Sequence, residues 1–227
     1  PSAGALWGLH VDSGERRISS GIHDTPDGYI TVGGGYDSNV TVGGVVRHTA
    51  PFPYIFDVKI GPDGFWYAYC SGGGDNVEII RVDPTTGDRT LVWHKAIDGA
   101  HDGFGQCLRN PGDVDDLRSV QFVQRSFTMD PAGNFYLGYR DGTFGDGIAR
   151  VDADGTTCTP IMRMYGPNGP SDDIGGGASF QSQAPIGLGW VDRPDHDPVI
   201  MMYTVLGNRL YGVDPVTGDR TLVSSGD

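Results

Sequence analysis

Glutamate and lysine are almost missing from this chain. It has two of each, Glu15 with Glu78 and Lys59 with Lys95, beside 27 aspartates and 14 arginines. The bases form no cluster, and the formal net charge is −13. Phosphate backbones are bound through grouped Lys and Arg, so the sequence argues against nucleic acid and anionic membrane surfaces as partners. No apolar run approaches the roughly 20 residues that cross a bilayer, which excludes insertion as an apolar helix. Apolar residues at helical spacing are missing too. So are a Gly-x-Ser-x-Gly elbow, a phosphate loop ending in Lys, and the EF-hand calcium pattern. Cys70, Cys107 and Cys158 allow one disulfide and one free thiol, or none. Pro1 has no Met before it, so the chain is expected to be a processed or truncated product with any targeting segment out of view.

Glycine is plentiful, at 37 of 227 residues. Short apolar runs rich in Val, Ile, Tyr, Phe and Thr alternate with Gly, Asp, Pro and Asn, which supply turn geometry at little steric cost. The class is all-β. Much of the aspartate excess follows from the number of turns, because a short carboxylate bonds the amides of its own turn.

The chain also repeats. Arg81-Val82-Asp83-Pro84-Thr85-Thr86-Gly87-Asp88-Arg89-Thr90-Leu91-Val92 returns as Gly212-Val213-Asp214-Pro215-Val216-Thr217-Gly218-Asp219-Arg220-Thr221-Leu222-Val223. Weaker copies run from Leu9 to Ile18 and from Arg150 to Thr157. Each reads as strand, tight turn, strand. A Pro/Asp/Gly turn with an aromatic strand precedes them: Pro62-Asp63-Gly64-Phe65-Trp66-Tyr67 and Pro131-Ala132-Gly133-Asn134-Phe135-Tyr136. From its proline to the hairpin aspartate is 21 residues in both (62 to 83, 131 to 152). A constant register inside units of variable spacing marks a repeated supersecondary unit.

The hairpin and the Pro/Asp/Gly-aromatic turn resemble those of bacterial β-propellers of the six- or seven-bladed kind. The resemblance implies a β-propeller of four-stranded antiparallel blades. About four and a half are visible: a partial blade at 1–20 and blades at about 21–53, 54–98, 120–165 and 184–227, in a single propeller region spanning 1–227. On that register the ring is incomplete, and the native protein is expected to continue beyond one end or both. The resemblance also implies an extracellular, periplasmic or cell-envelope location, and with it a Cys107–Cys158 disulfide.

Two insertions, 94–119 and 162–185, connect one blade to the next. They are expected on the same face as the loops between second and third strands, the surface where binding residues gather on a rigid scaffold. That face is rich in aspartate. Asp75, Asp102, Asp113, Asp115, Asp141 and Asp146 are the candidate ligands of a Ca²⁺ ion, which takes six to eight oxygens; the competing reading is that they cap turns. His94, His101, Asp102 and Cys107 could assemble a zinc site, but at no familiar spacing. The Gly-Gly-Gly runs at Gly33, Gly72 and Gly175 read as flexible loops. The aromatic strands read as core, with Trp7, Trp93 and Trp190 left near strand ends as candidate stacking surfaces.

No nucleophile, acid–base pair or cofactor motif stands out. The expected function is a non-catalytic binding or structural module taking a protein or carbohydrate partner. The rival is a metal-dependent propeller hydrolase or lyase of the lactonase kind, which the shortage of glutamate disfavours. A subunit of a larger assembly is the third reading. A propeller by itself does not choose among them.

Overall fold

The computed structural model describes residues 5–9, 16–25, 28–34, 38–42, 45–50, 55–73, 76–95, 106–107, 121–140, 145–164, 173–178, 185–204 and 208–226. Among them every regular element is a strand. The chain divides into two compact units, Pro1–Ala96 and Ile97–Asp227.

The first unit opens with β1 (Ala5–Leu9), β2 (Arg16–Thr25) and β3 (Gly28–Val32), an antiparallel sheet in that order. β2 runs unbroken through residues 20 and 21, pairing its first half with β1 and its second with β3. A separate ladder joins β4 (Ser38–Val42) to β5 (Val45–Ala50). Then comes a complete blade: β6 (Ile55–Ile60), β7 (Trp66–Gly73), β8 (Asn76–Val82) and β9 (Arg89–Lys95), each antiparallel to the next.

The second unit holds two more blades. One is β11 (Gln121–Met129), β12 (Phe135–Arg140), β13 (Asp146–Val151) and β14 (Thr157–Met164), with the short β10 (Gln106–Cys107) parallel along the outer edge of β14. The other is β15 (Gly187–Arg193), β16 (His196–Thr204), β17 (Arg209–Val213) and β18 (Arg220–Ser225). The three blades share one register: Trp66 opposite Val82, Phe135 opposite Val151, Ile200 opposite Val213. These are β-propeller blades, as the repeat predicts.

Neighbours on a strand point to opposite faces, and the middle strands are buried on both: Tyr67, Ala68, Tyr69 and Cys70 of β7, and Phe135, Tyr136 and Leu137 of β12. In the second unit the two blades pack face to face. Tyr136, Ile148, Met162 and Met164 of one meet Leu188, Ile200, Met202, Tyr211 and Val213 of the other, all buried. Two polar bonds tie the inner strands: Leu188 N–H donates to Ser126 Oγ at 3.3 Å, and Trp190 N–H to Thr128 Oγ1 at 2.7 Å. The aromatic strands are core, as expected, with Tyr67, Tyr69, Phe135, Tyr136 and Tyr139 buried. Trp93 is buried as well, which removes it as an exposed stacking surface.

The outer hairpins explain why their sequence repeats. Asp83 Oδ1 accepts from Thr85 N–H (2.7 Å) and Thr86 N–H (3.2 Å), and Thr86 Oγ1 accepts from Asp88 N–H (3.2 Å). Asp214, Thr217 and Asp219 repeat these bonds at 2.7, 3.0 and 3.2 Å. Aspartate reaches the turn amides with its short side chain, and threonine braces the next aspartate; both roles are local.

Two of the glycine runs are held rather than loose. Gly34 N–H donates to Asp88 Oδ1 at 2.7 Å, and Gly176 N–H to Asp219 Oδ1 at 2.6 Å. The reading of Gly33 and Gly175 as flexible loops is corrected by these bonds, which join residues 54 and 43 apart and are invisible to local pattern.

Candidate functional site

Between the two blades of the second unit lies a crevice of about 440 Å³. Its floor is aromatic: Trp190, half-buried at the middle of β15, stacks on Tyr136 of β12 at 5.5 Å between ring centres. Three prolines, Pro160, Pro198 and Pro215, contribute to its walls. Pro160 and Pro198 sit at irregularities in the β13–β14 and β15–β16 ladders, and Pro215 at the first corner of a hairpin, all places where a missing N–H is tolerated.

Most of the polar groups at the crevice are engaged, the buried Nε of Arg150 being an exception. Asp130 Oδ2 accepts from Asn134 Nδ2 (2.7 Å) and from Tyr136 OH (3.1 Å), and its Oδ1 from Asn134 N–H (2.9 Å). Burial, then the Asp130 charge and its hydrogen bond, hold the Tyr136 phenol protonated well above its ordinary range. Trp190 gives its indole N–H to Asp192 at 2.8 Å. Arg150, from β13, pairs with Asp152 at 2.9 Å on the exposed rim. The first unit builds the same corner around Asp63, which accepts from Tyr67 OH at 2.9 Å and pairs with Arg81 at 3.2 Å. Burial alone would raise the Asp63 carboxyl. The bonds from Tyr67 and Phe65 N–H and the Arg81 charge outweigh it and hold the group below the usual carboxylate range.

Such a crevice offers shape and an aromatic surface, with a guanidinium at its mouth. It can receive a flat or apolar group and orient a polar one at its rim.

Both insertions contribute to the outer edge of the same blade. β10, from the first, pairs with Thr157 and Cys158 of β14; from the second, Ile174 bridges Arg163 on the same strand. An outer strand with bare amides invites pairing with another chain, and these segments cover it at both ends. Residues 173–178 then continue to the last hairpin, where Gly177 bridges Arg220. Ile174 is thereby a wall of the crevice. Nothing in the local pattern of the insertion marks this course.

Of the six aspartates read as Ca²⁺ ligands, Asp146 falls among the described residues, buried at the start of β13. Asp75, Asp102, Asp113, Asp115 and Asp141 lie outside them. Among the described residues, no group of three or more His, Cys, Asp or Glu is placed to hold a metal. Cys158 is buried and bonded in a disulfide, β10 sets Cys107 as its ladder neighbour, and Cys70 is a free buried thiol.

Neither a family model nor a curated protein matches the sequence. Among solved structures, the chain is similar to a puromycin hydrolase, with TM-score 0.38, 13% identity, and coverage of 93% of this chain and 25% of that one. It is also similar to the Dos1 propeller, with TM-score 0.35, 14% identity, and coverage of 97% and 50%. The chain thus spans a quarter and a half of these two, and likeness at this level carries no function across.

Proposed function

We propose that the chain serves as a non-catalytic binding module of an exported or envelope protein, and that the crevice between the two blades of the second unit receives a protein partner through an apolar side chain. The observation that carries this is the Trp190–Tyr136 stack opening into a proline-walled recess. Stacked aromatic floors with proline walls are stiff, so a partner's side chain is ordered there at little cost to the host. The turn carboxylates support the same reading: Asp83, Asp130, Asp154 and Asp214 all accept bonds from their own turns, which fits a rigid scaffold.

Random-peptide phage display and a glycan array, each run on the unaltered chain and on Trp190→Ala and Arg150→Ala, test it. Peptides are expected to be enriched whose binding falls at least tenfold in Trp190→Ala, and by less in Arg150→Ala at the exposed rim. Enrichment of glycans instead would replace the protein partner by a sugar. Binding that ignores Trp190, or hydrolysis of a lactone panel on addition of divalent ions, would overturn the proposal.

A further inference from the structure

We infer that the Thr-Gly-Asp-Arg hairpin tip is a recognition surface for a backbone led by a left-handed glycine, and that in the second unit it latches residues 173–178 as the releasable wall of the crevice. The latch stands on its own geometry; its role as a gate rests on the binding function proposed above.

The geometry occurs twice. In the first unit Gly34 N–H donates to Asp88 Oδ1 at 2.7 Å, and Gly34 C=O accepts from Arg89 N–H at 2.8 Å. In the second, Gly176 N–H donates to Asp219 Oδ1 at 2.6 Å, and its C=O accepts from Arg220 N–H at 3.0 Å. The preceding residues, Gly33 and Gly175, have φ of +73° and +78°. A Cβ on either would collide with the carbonyl oxygen of the hairpin glycine, Gly87 or Gly218. The hairpin tip therefore reads one N–H, one C=O and the absence of a side chain on the residue before. A Gly-Gly dipeptide satisfies all three, and a left-handed residue with a side chain does not.

Arg220 strengthens the second copy. It is buried, and its guanidinium donates to the carbonyls of Ala178 (3.2 Å), Ile174 (3.2 Å) and Gly175 (3.3 Å). One arginine thus holds three carbonyls of a short segment in place. The segment has little apolar burial of its own: Gly176 and Gly177 are exposed, and Ile174 and Ala178 are partly buried. The hairpin holds it from Gly175 to Ala178, while Ile174 also exchanges two backbone hydrogen bonds with Arg163 of β14. A wall attached by hydrogen bonds more than by buried surface is the part of a crevice that opens first.

Hydrogen–deuterium exchange on the full chain tests this, with Gly175→Ala, Asp219→Ala and, as a control, Asp154→Ala, whose carboxylate accepts from Thr156 in another hairpin. In the first two, amides 175–178 should exchange at least tenfold faster and those of Thr159 and Ile161 at the crevice rim should follow, with β12 and β13 still protected. The control should match the unaltered chain. The peptide Ile-Gly-Gly-Gly-Ala, added to Gly175→Ala, should shift the NMR resonances of Asp219 and Arg220. Unchanged exchange at 175–178 in both variants overturns the latch. Faster exchange at 175–178 with Thr159 and Ile161 unmoved overturns the gate and leaves the latch. If Gly175→Ala does not fold, Asp219→Ala decides the exchange test. A failure of the crevice as a binding site would appear in the Trp190-dependent screens and leave these exchange rates as expected.

Discussion

At the scale of single residues, the same residue type does different work according to what lies beside it. Gly64 and Gly33 both have positive φ, +80° and +73°. A Cβ on Gly64 would meet nothing within 4 Å, whereas one on Gly33 would strike the Gly87 carbonyl. Gly64→Ala should therefore cost about 1 kcal/mol, the left-handed penalty alone, and Gly33→Ala about 2–4 kcal/mol. Equal costs in urea melts would show that the close approach is not there. Tyr67 offers a second residue-scale check. Burial first, then the hydrogen bond and charge of Asp63, push its phenol up to about 12. A raised pKa in the folded state means that its contribution is complete below about pH 10, the unfolded value, and is lost as pH climbs towards 12. Absorbance at 295 nm should show this tyrosine ionising late, and Asp63→Asn should bring its titration down; ionisation near pH 10 in the unaltered protein would contradict the contact. The aspartates of the hairpins were legible in the sequence because a carboxylate caps amides two or three residues away. The Gly34–Asp88 bond was not, because nothing local brings those residues together.

At the scale of elements, the blade is where sequence and structure agree most closely. A continuous apolar and aromatic strand next to a Pro/Asp/Gly turn is stable only inside a sheet covered on both faces, and the register that follows recurs in β7, β12 and β16. The packed interface between the last two blades should be the most sensitive part of the second unit. Met202→Ala removes a buried side chain from it and should cost about 2–5 kcal/mol, while Val216→Ala, at 88% exposed on a hairpin tip, should stay within about 0.5 kcal/mol. A Met202→Ala cost below that of Val216→Ala would deny the interface. β10 was not foreseen as a strand, because two residues in a parallel ladder leave no period to read. We propose Cys107 as the disulfide partner of Cys158. Peptide mapping without reductant should recover the two in one linked fragment, with Cys70 unlabelled by iodoacetamide in the native state, where burial and then the neighbouring Glu78 raise its thiol. Separate fragments would remove the pairing.

At the scale of the whole molecule, a net charge of −13 sets what the surface repels. Retention on heparin at about 0.15 M salt should be absent, since the Debye length of about 8 Å still leaves like charges to repel at contact; a retained peak would point to a basic patch that composition hides. The sequence by itself determined the strand class, the blade register and the turn chemistry, because each depends on residues within a few positions of one another. Tertiary structure decided the rest: which glycine run meets which hairpin, where the two insertions run along β14, and that Trp190 meets Tyr136 to floor a crevice. Those contacts join segments tens of residues apart, which only the packing within each unit brings together.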